Sequence, residues 1–114
     1  MFNKLKSVIL WLLERIFVRP QRRFYIERNL EEPMKIQSFR VYIVGEEGYE
    51  WTAVFICPCG CGHIVRLNLL YGDDRPTWRV SHDRRRLATV QPSVWRKIGC
   101  RSHFIIRDGL IKWC

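Results

Sequence analysis

The spacing of apolar residues changes part-way along the chain. From Phe2 to Val18, Leu5, Ile9, Leu12 and Ile16 recur at i, i+4, i+7 and i+11, and Phe2 and Leu13 widen the stripe. Lys4, Lys6, Glu14 and Arg15 fall off it, which predicts an amphipathic helix. Pro20 ends that helix or closely follows its end. The stripe is too short and too interrupted to span a bilayer. Arg15, Arg19, Arg22 and Arg23 beside Trp11 fit a helix on a membrane surface, and packing on the domain or a partner is the plainer expectation.

Beyond a polar connection at Arg28–Ser38, centred on Pro33, the pattern turns strand-like. Phe39–Val44 and Tyr49–Ile56 read as two strands around a turn at Glu46-Glu47-Gly48, and Ile64–Leu70 as a third. Thr77–Val80 and Leu87–Val90 are short strand candidates, the second broken by Gln91-Pro92-Ser93-Val94. His103–Ile106 and Leu110–Trp113 flank Asp108-Gly109, a type I′ hairpin signal. The expected fold is mainly β: a small antiparallel, zinc-stapled domain over 28–114, preceded by the helix and a basic connection over 1–27.

Metal enters because of Phe55-Ile-Cys-Pro-Cys-Gly-Cys-Gly-His-Ile-Val65, where three cysteines fall at every second position between strand-like flanks. Thiols this close do not pair easily as disulfides, and thiolates on a glycine turn suit a soft or borderline metal such as zinc. A hairpin tip gives part of a site, and Cys100-Arg-Ser-His103 is the distant second part. Cys57, Cys59, Cys61, His63, Cys100, His103 and Cys114 compete for four places. Cys57, Cys59, Cys61 and Cys100 come first and His103 next, and the set stays open. Cys61-x-His63 with Cys100-x-x-His103 also offers the ligand types of a Rieske iron–sulfur cluster. That reading leaves Cys57 and Cys59 unused.

A length of 114 residues implies one domain, small enough to gain from a metal staple. The odd number of cysteines, 5, sits badly with a pure disulfide framework, and no convincing secretory signal is present. The expected compartment is a reducing cytoplasm, with membrane contact through residues 2–18 as an option. A formal charge of +9 admits nucleic acid, anionic lipid or an acidic protein as partner without choosing among them. Arg84–Arg86 with Arg75, Arg79, Trp78 and Tyr71 could meet phosphates and bases, yet a solvated arginine loop explains them more simply. Trp51, Trp78, Trp95 and Trp113 read as core or site-wall residues.

Four segments, Cys57-Pro-Cys-Gly-Cys-Gly62, Thr89-Val-Gln-Pro-Ser93, Cys100-Arg-Ser-His-Phe104 and Gly109-Leu-Ile-Lys-Trp-Cys114, resemble a family of small bacterial proteins of unknown function. Its members lie beside genes of the Bub type of ubiquitin-like conjugation operon. The resemblance runs from about Val41 to the C-terminus. It implies a role in that pathway, as a peptidase or deconjugating enzyme, with the ubiquitin-like protein and its E1-like and E2-like enzymes as partners. The residues allow such chemistry: Ser93 as nucleophile and His103 as base, with Asp108 or Asp83 to orient the ring. Ser102 would point to the opposite face of a strand from His103, which favours Ser93. No His-Glu-x-x-His is present for a catalytic metal. The alternative from another class is a non-catalytic zinc adaptor for the modifier, its enzymes or nucleic acid.

Overall fold

The computed structural model describes residues 22–72 and 76–114. Among them the chain forms β1 (Tyr25–Asn29), β2 (Arg40–Glu46), β3 (Tyr49–Ile56), β4 (Ile64–Asn68), β5 (Arg79–His82), β6 (Ala88–Trp95), β7 (His103–Arg107) and β8 (Leu110–Trp113). The first four strands make one sheet and the last four another, each in sequence order. All pairs are antiparallel except β1 with β2, which is parallel. The described residues are thus mainly β. The expected helix over 2–18 lies outside them.

Alternation along the strands places one shared core between the sheets. Val41, Ile43, Ala53, Phe55, Val65 and Leu67 of the first sheet meet Ala88, Val90, Val94, Phe104 and Ile106 of the second. The Phe55 ring bridges the layers, edge-on to Phe24 at 5.9 Å and to Phe104 at 6.2 Å. Removing so buried a ring costs about 3–5 kcal/mol in comparable cores. Cys57 continues the inward set of β3, so the same alternation that buries Phe55 delivers the first thiol to the core's rim.

The polar connection predicted at Arg28–Ser38 does more than connect. Tyr42, Val44 and Val54 on the outer face of the first sheet are buried under Ile36 and Trp51. Gln37 N–H donates to the Tyr42 hydroxyl at 3.1 Å, and Arg66 forks onto Glu32 at 2.7 and 3.0 Å. β2 is therefore covered on both faces, which accounts for four consecutive buried residues, Val41–Val44.

Residues 24–26 stitch the sheets together. Phe24 N–H donates to Gly109 O at 2.8 Å, Ala88 N–H to Phe24 O at 3.0 Å and Ile26 N–H to Arg86 O at 2.8 Å, while Tyr25 N–H donates to Phe39 O at 3.1 Å. Gly109 has no substitute here: its φ is +78° and a Cβ would sit 2.9 Å from Phe24 O. Asp108 before it also has positive φ, 49°, as the type I′ turn requires. β1 begins before residue 28, so the first strand straddles the boundary expected between 27 and 28. The break expected at Gln91–Val94 is corrected. β6 runs through it with a cis Gln91–Pro92 peptide and a register shift against β7 between Val90 and Val94, so proline sits in an irregularity of the ladder.

Candidate functional site

β3 and β4 end at the cysteine knuckle. Cys57 N–H donates to His63 O at 2.9 Å and closes the hairpin, and Gly60 and Gly62 take φ of +90° and +79° inside it. The tight loop turns the Cys59 sulfur back to accept Cys61 N–H at 3.3 Å. A second tight turn joins β6 to β7, with positive φ at Gly99 and Arg101 and a closing bond from Arg96 N–H to Ser102 O at 2.8 Å. That turn points Cys100 at the first knuckle.

The sulfurs of Cys57, Cys59, Cys61 and Cys100 lie within 4.8 Å of one another. Cys57 is 3.5 Å from Cys59 and 3.7 Å from Cys100. A tetrahedral ion with metal–sulfur bonds of about 2.3 Å separates its sulfurs by about 3.8 Å, so the donor set and its spacing suit a metal ion. All five cysteines are free thiols. The four sulfurs are not equivalent. Burial pushes the Cys57 thiol up to about 11, whereas the Ser102 hydroxyl, 3.2 Å from the Cys100 sulfur, and the Ser102 N–H draw Cys100 down to about 6. Cys59 is also drawn below the ordinary thiol range, by Ser102 first and then Cys61. Arg96 Nη1 approaches Cys61 and Cys100 at 3.8 Å each and adds positive charge to the same sulfurs.

The remaining metal candidates stand apart from this group. His63 lies over Gly99, where an added Cβ would be 3.5 Å from its Nδ1. His103 is bonded to Ser93, and the Cys114 thiol is exposed at the end of β8. The structure therefore gathers four thiols rather than the two-cysteine, two-histidine set of a Rieske centre.

The Ser93 side chain of β6 and that of His103 on β7 meet, with Oγ and Nε2 2.9 Å apart. The Trp95 ring, opposite His103 in the ladder, stacks on the imidazole at 5.3 Å with 19° between planes. Lys97 Nζ lies 5.3 Å from the Trp95 ring centre. Trp78 Nε1–H donates to Ser93 O at 3.2 Å and holds the serine's backbone from the other side. Neither expected orienting carboxylate reaches His103. Asp83 Oδ1 accepts Arg85 and Leu87 N–H at 2.8 and 2.9 Å, and Asp108 N–H donates to Thr89 Oγ1 in the β7–β8 turn. Ser102 serves Cys100 instead.

A family model described as bacterial ubiquitination-like system serine protease (BubE) matches residues 27–114. The chain belongs to that family. No curated protein and no solved structure matches it. The BubE match takes in both sheets except the first two residues of β1, with the four grouped cysteines and the Ser93–His103 pair, and leaves residues 1–26 outside. Within this BubE chain, Ser93 is the serine, among the described residues, whose hydroxyl meets a histidine ring nitrogen. The sequence assigned no role to Arg96, offered Trp95 as core or site wall, and offered Trp78 as core, site wall or a base-stacking residue. The usable signal was Trp95, two residues after Ser93 and so on the same strand face.

Proposed function

We propose that this protein is a serine peptidase of a bacterial ubiquitin-like conjugation pathway, acting on the ubiquitin-like modifier or its conjugates. The 2.9 Å approach of Ser93 Oγ to His103 Nε2 carries the reading, and the BubE match supports it. Ser93 Oγ attacks a carbonyl carbon as its proton passes to Nε2. The tetrahedral intermediate breaks its C–N bond while Nε2 returns that proton to the departing amine. Water, deprotonated by the same nitrogen, then cleaves the acyl ester and restores Ser93.

Among the described residues no carboxylate bonds to His103, so stacking on Trp95 orients the ring in place of a third triad member. An orienting aspartate is worth about 10⁴ in turnover where it has been removed, so modest turnover is expected here.

Zinc is the proposed metal, held by Cys57, Cys59, Cys61 and Cys100. Four thiolates fill a tetrahedron and leave no position for substrate, so the ion is a structural staple. The knuckle also sets the β6–β7 connection between Trp95 and His103.

The test is intact-mass analysis after treatment with a fluorophosphonate. One adduct on the wild type, none on Ser93→Ala and slow labelling of His103→Ala are expected. An adduct that persists on Ser93→Ala, or a wild type that stays unlabelled with its metal bound, would overturn the peptidase and leave the zinc adaptor.

A further inference from the structure

The second sheet is unevenly finished. β5 pairs with β6 only from Ala88 to Gln91, where Arg79 is the last partner. Residues Pro92–Trp95 of β6 extend past that end, with β7 on one side. Before Arg79 the chain leaves for the other sheet, since Trp78 N–H donates to Asn68 O at 2.9 Å.

The direction of the free backbone groups follows from strand alternation, because the N–H and C=O of one residue point the same way and neighbours point oppositely. His103 O accepts Cys114 N–H at 2.9 Å, so the polar groups of His103 face β8. Arg96 N–H donates to Ser102 O at 2.8 Å, so those of Arg96 face β7. Trp95, opposite His103 and next to Arg96, must turn its N–H and C=O away from β7, towards the edge that β5 has vacated. No described strand meets them there. Ser93 O on the same edge is taken by the Trp78 indole.

A groove of about 600 Å³ opens where β5 ends on this edge, and its lining includes Leu69, Tyr71, Trp78, Arg79, Gln91 and Pro92. Its walls are largely apolar, and Arg79 at its side and Lys97 over Trp95 are exposed cations. A free strand edge beside a nucleophile is a place where a polypeptide can add as a strand, its main chain giving affinity and its alternate side chains selectivity.

We infer that the edge of β6 at Ser93–Trp95 is the substrate-strand site: an extended polypeptide segment with acidic residues pairs with Trp95 N–H and C=O and drops an apolar side chain into the groove. This rests on the peptidase reading for its purpose, since the added strand would run past the Ser93 hydroxyl. It names the substrate class as an unfolded segment or tail, not a folded surface. The excess of basic residues, 20 against 11 acidic, matches its charge.

The test uses the full-length Ser93→Ala protein, labelled with ¹⁵N, and two synthetic decapeptide pools with a central apolar residue, one acid-rich and one base-rich. Amide exchange is read residue by residue. The acid-rich pool should slow exchange at Trp95 at least tenfold and leave Val94, already in the ladder, unchanged; the base-rich pool should do neither. In Arg79→Glu, Ser93→Ala protein the preference between the pools should shrink or reverse. Trp95 exchanging at the free rate in both pools overturns the inference, and equal protection by both overturns its acidic part. Fluorophosphonate labelling of the wild type separates the two readings. Labelling without Trp95 protection removes the strand site alone. Protection without labelling removes the peptidase and keeps the edge as a peptide-binding strand.

Discussion

Cys100 is the one grouped thiol that comes from the second sheet, and replacing it tests the staple directly. Cys57, Cys59 and Cys61 belong to the β3–β4 hairpin, so an ion held by those three alone ties the hairpin to itself. Adding Cys100 closes a loop between residues 43 apart. The chain-entropy relation for a cross-link of that span gives about 4 kcal/mol. At about 4–8 °C per kcal/mol for a domain of this size, Cys100→Ser should lower Tm by about 15–30 °C. Cys61→Ser also removes one thiolate, yet Cys57 and Cys59 can still share an ion with Cys100, so its loss should be clearly smaller. Cys114→Ser, outside the group, should leave Tm within a degree or two. Thermal unfolding by circular dichroism on purified variants, with metal content measured on the same samples, gives the comparison. Equal losses for Cys100→Ser and Cys61→Ser, or a wild-type Tm that a strong chelator leaves unmoved, would refute the reasoning.

Three further outcomes are expected. Gly109→Ala adds a Cβ 2.9 Å from Phe24 O at a φ of +78°, and urea unfolding should show a loss above about 1 kcal/mol; a neutral result would mean the seam can shift freely. Trp95→Phe should keep most hydrolysis of an activated ester and Trp95→Ala should lose about tenfold or more in kcat, with both folded by circular dichroism; equal rates for the two would remove stacking as the orienting force. The Arg66 hydrogen bond holds the Glu32 carboxyl below its ordinary 4.5. Because the folded value is depressed, the pair's stabilisation is full above pH 4.5 and fades as pH falls through the lower folded value. Glu32→Gln should therefore cost less than about 1 kcal/mol at pH 7, this pair being exposed, and nothing at pH 2.

Much of the site could be seen in the residues because its chemistry is local. Alternating cysteines between strand-like flanks can hardly do anything but crowd their sulfurs, and Asp108-Gly109 between apolar runs left one turn to choose. The elements that were missed are those set by distant contacts. Gln91-Pro92 looks like a strand terminator, yet Val94 and Phe104 bury together beyond it and keep the strand going. Glu32, Ile36 and Gln37 read as polar connection because what they meet lies elsewhere in the chain: Arg66 for Glu32, the cluster of Tyr42, Val44 and Val54 for Ile36, and the Tyr42 hydroxyl for Gln37. His103 was open to two uses, as ligand or base, and only the turn of the β6–β7 connection sends its ring to Ser93.

Each sheet is a contiguous run of the chain, and this has a temporal meaning when the protein is made from its N-terminus. The first sheet can finish, with three thiolates at its tip, while the ribosome has yet to add Cys100. Until then the knuckle is an incomplete chelate, able to take up an ion but equally able to surrender it or to be oxidised. Closure waits for the second sheet, so the commitment to metal and the meeting of Ser93 with His103 fall in the same late step of maturation. A nascent chain stalled before residue 100 would carry three of the four grouped thiols and no Ser93–His103 pair.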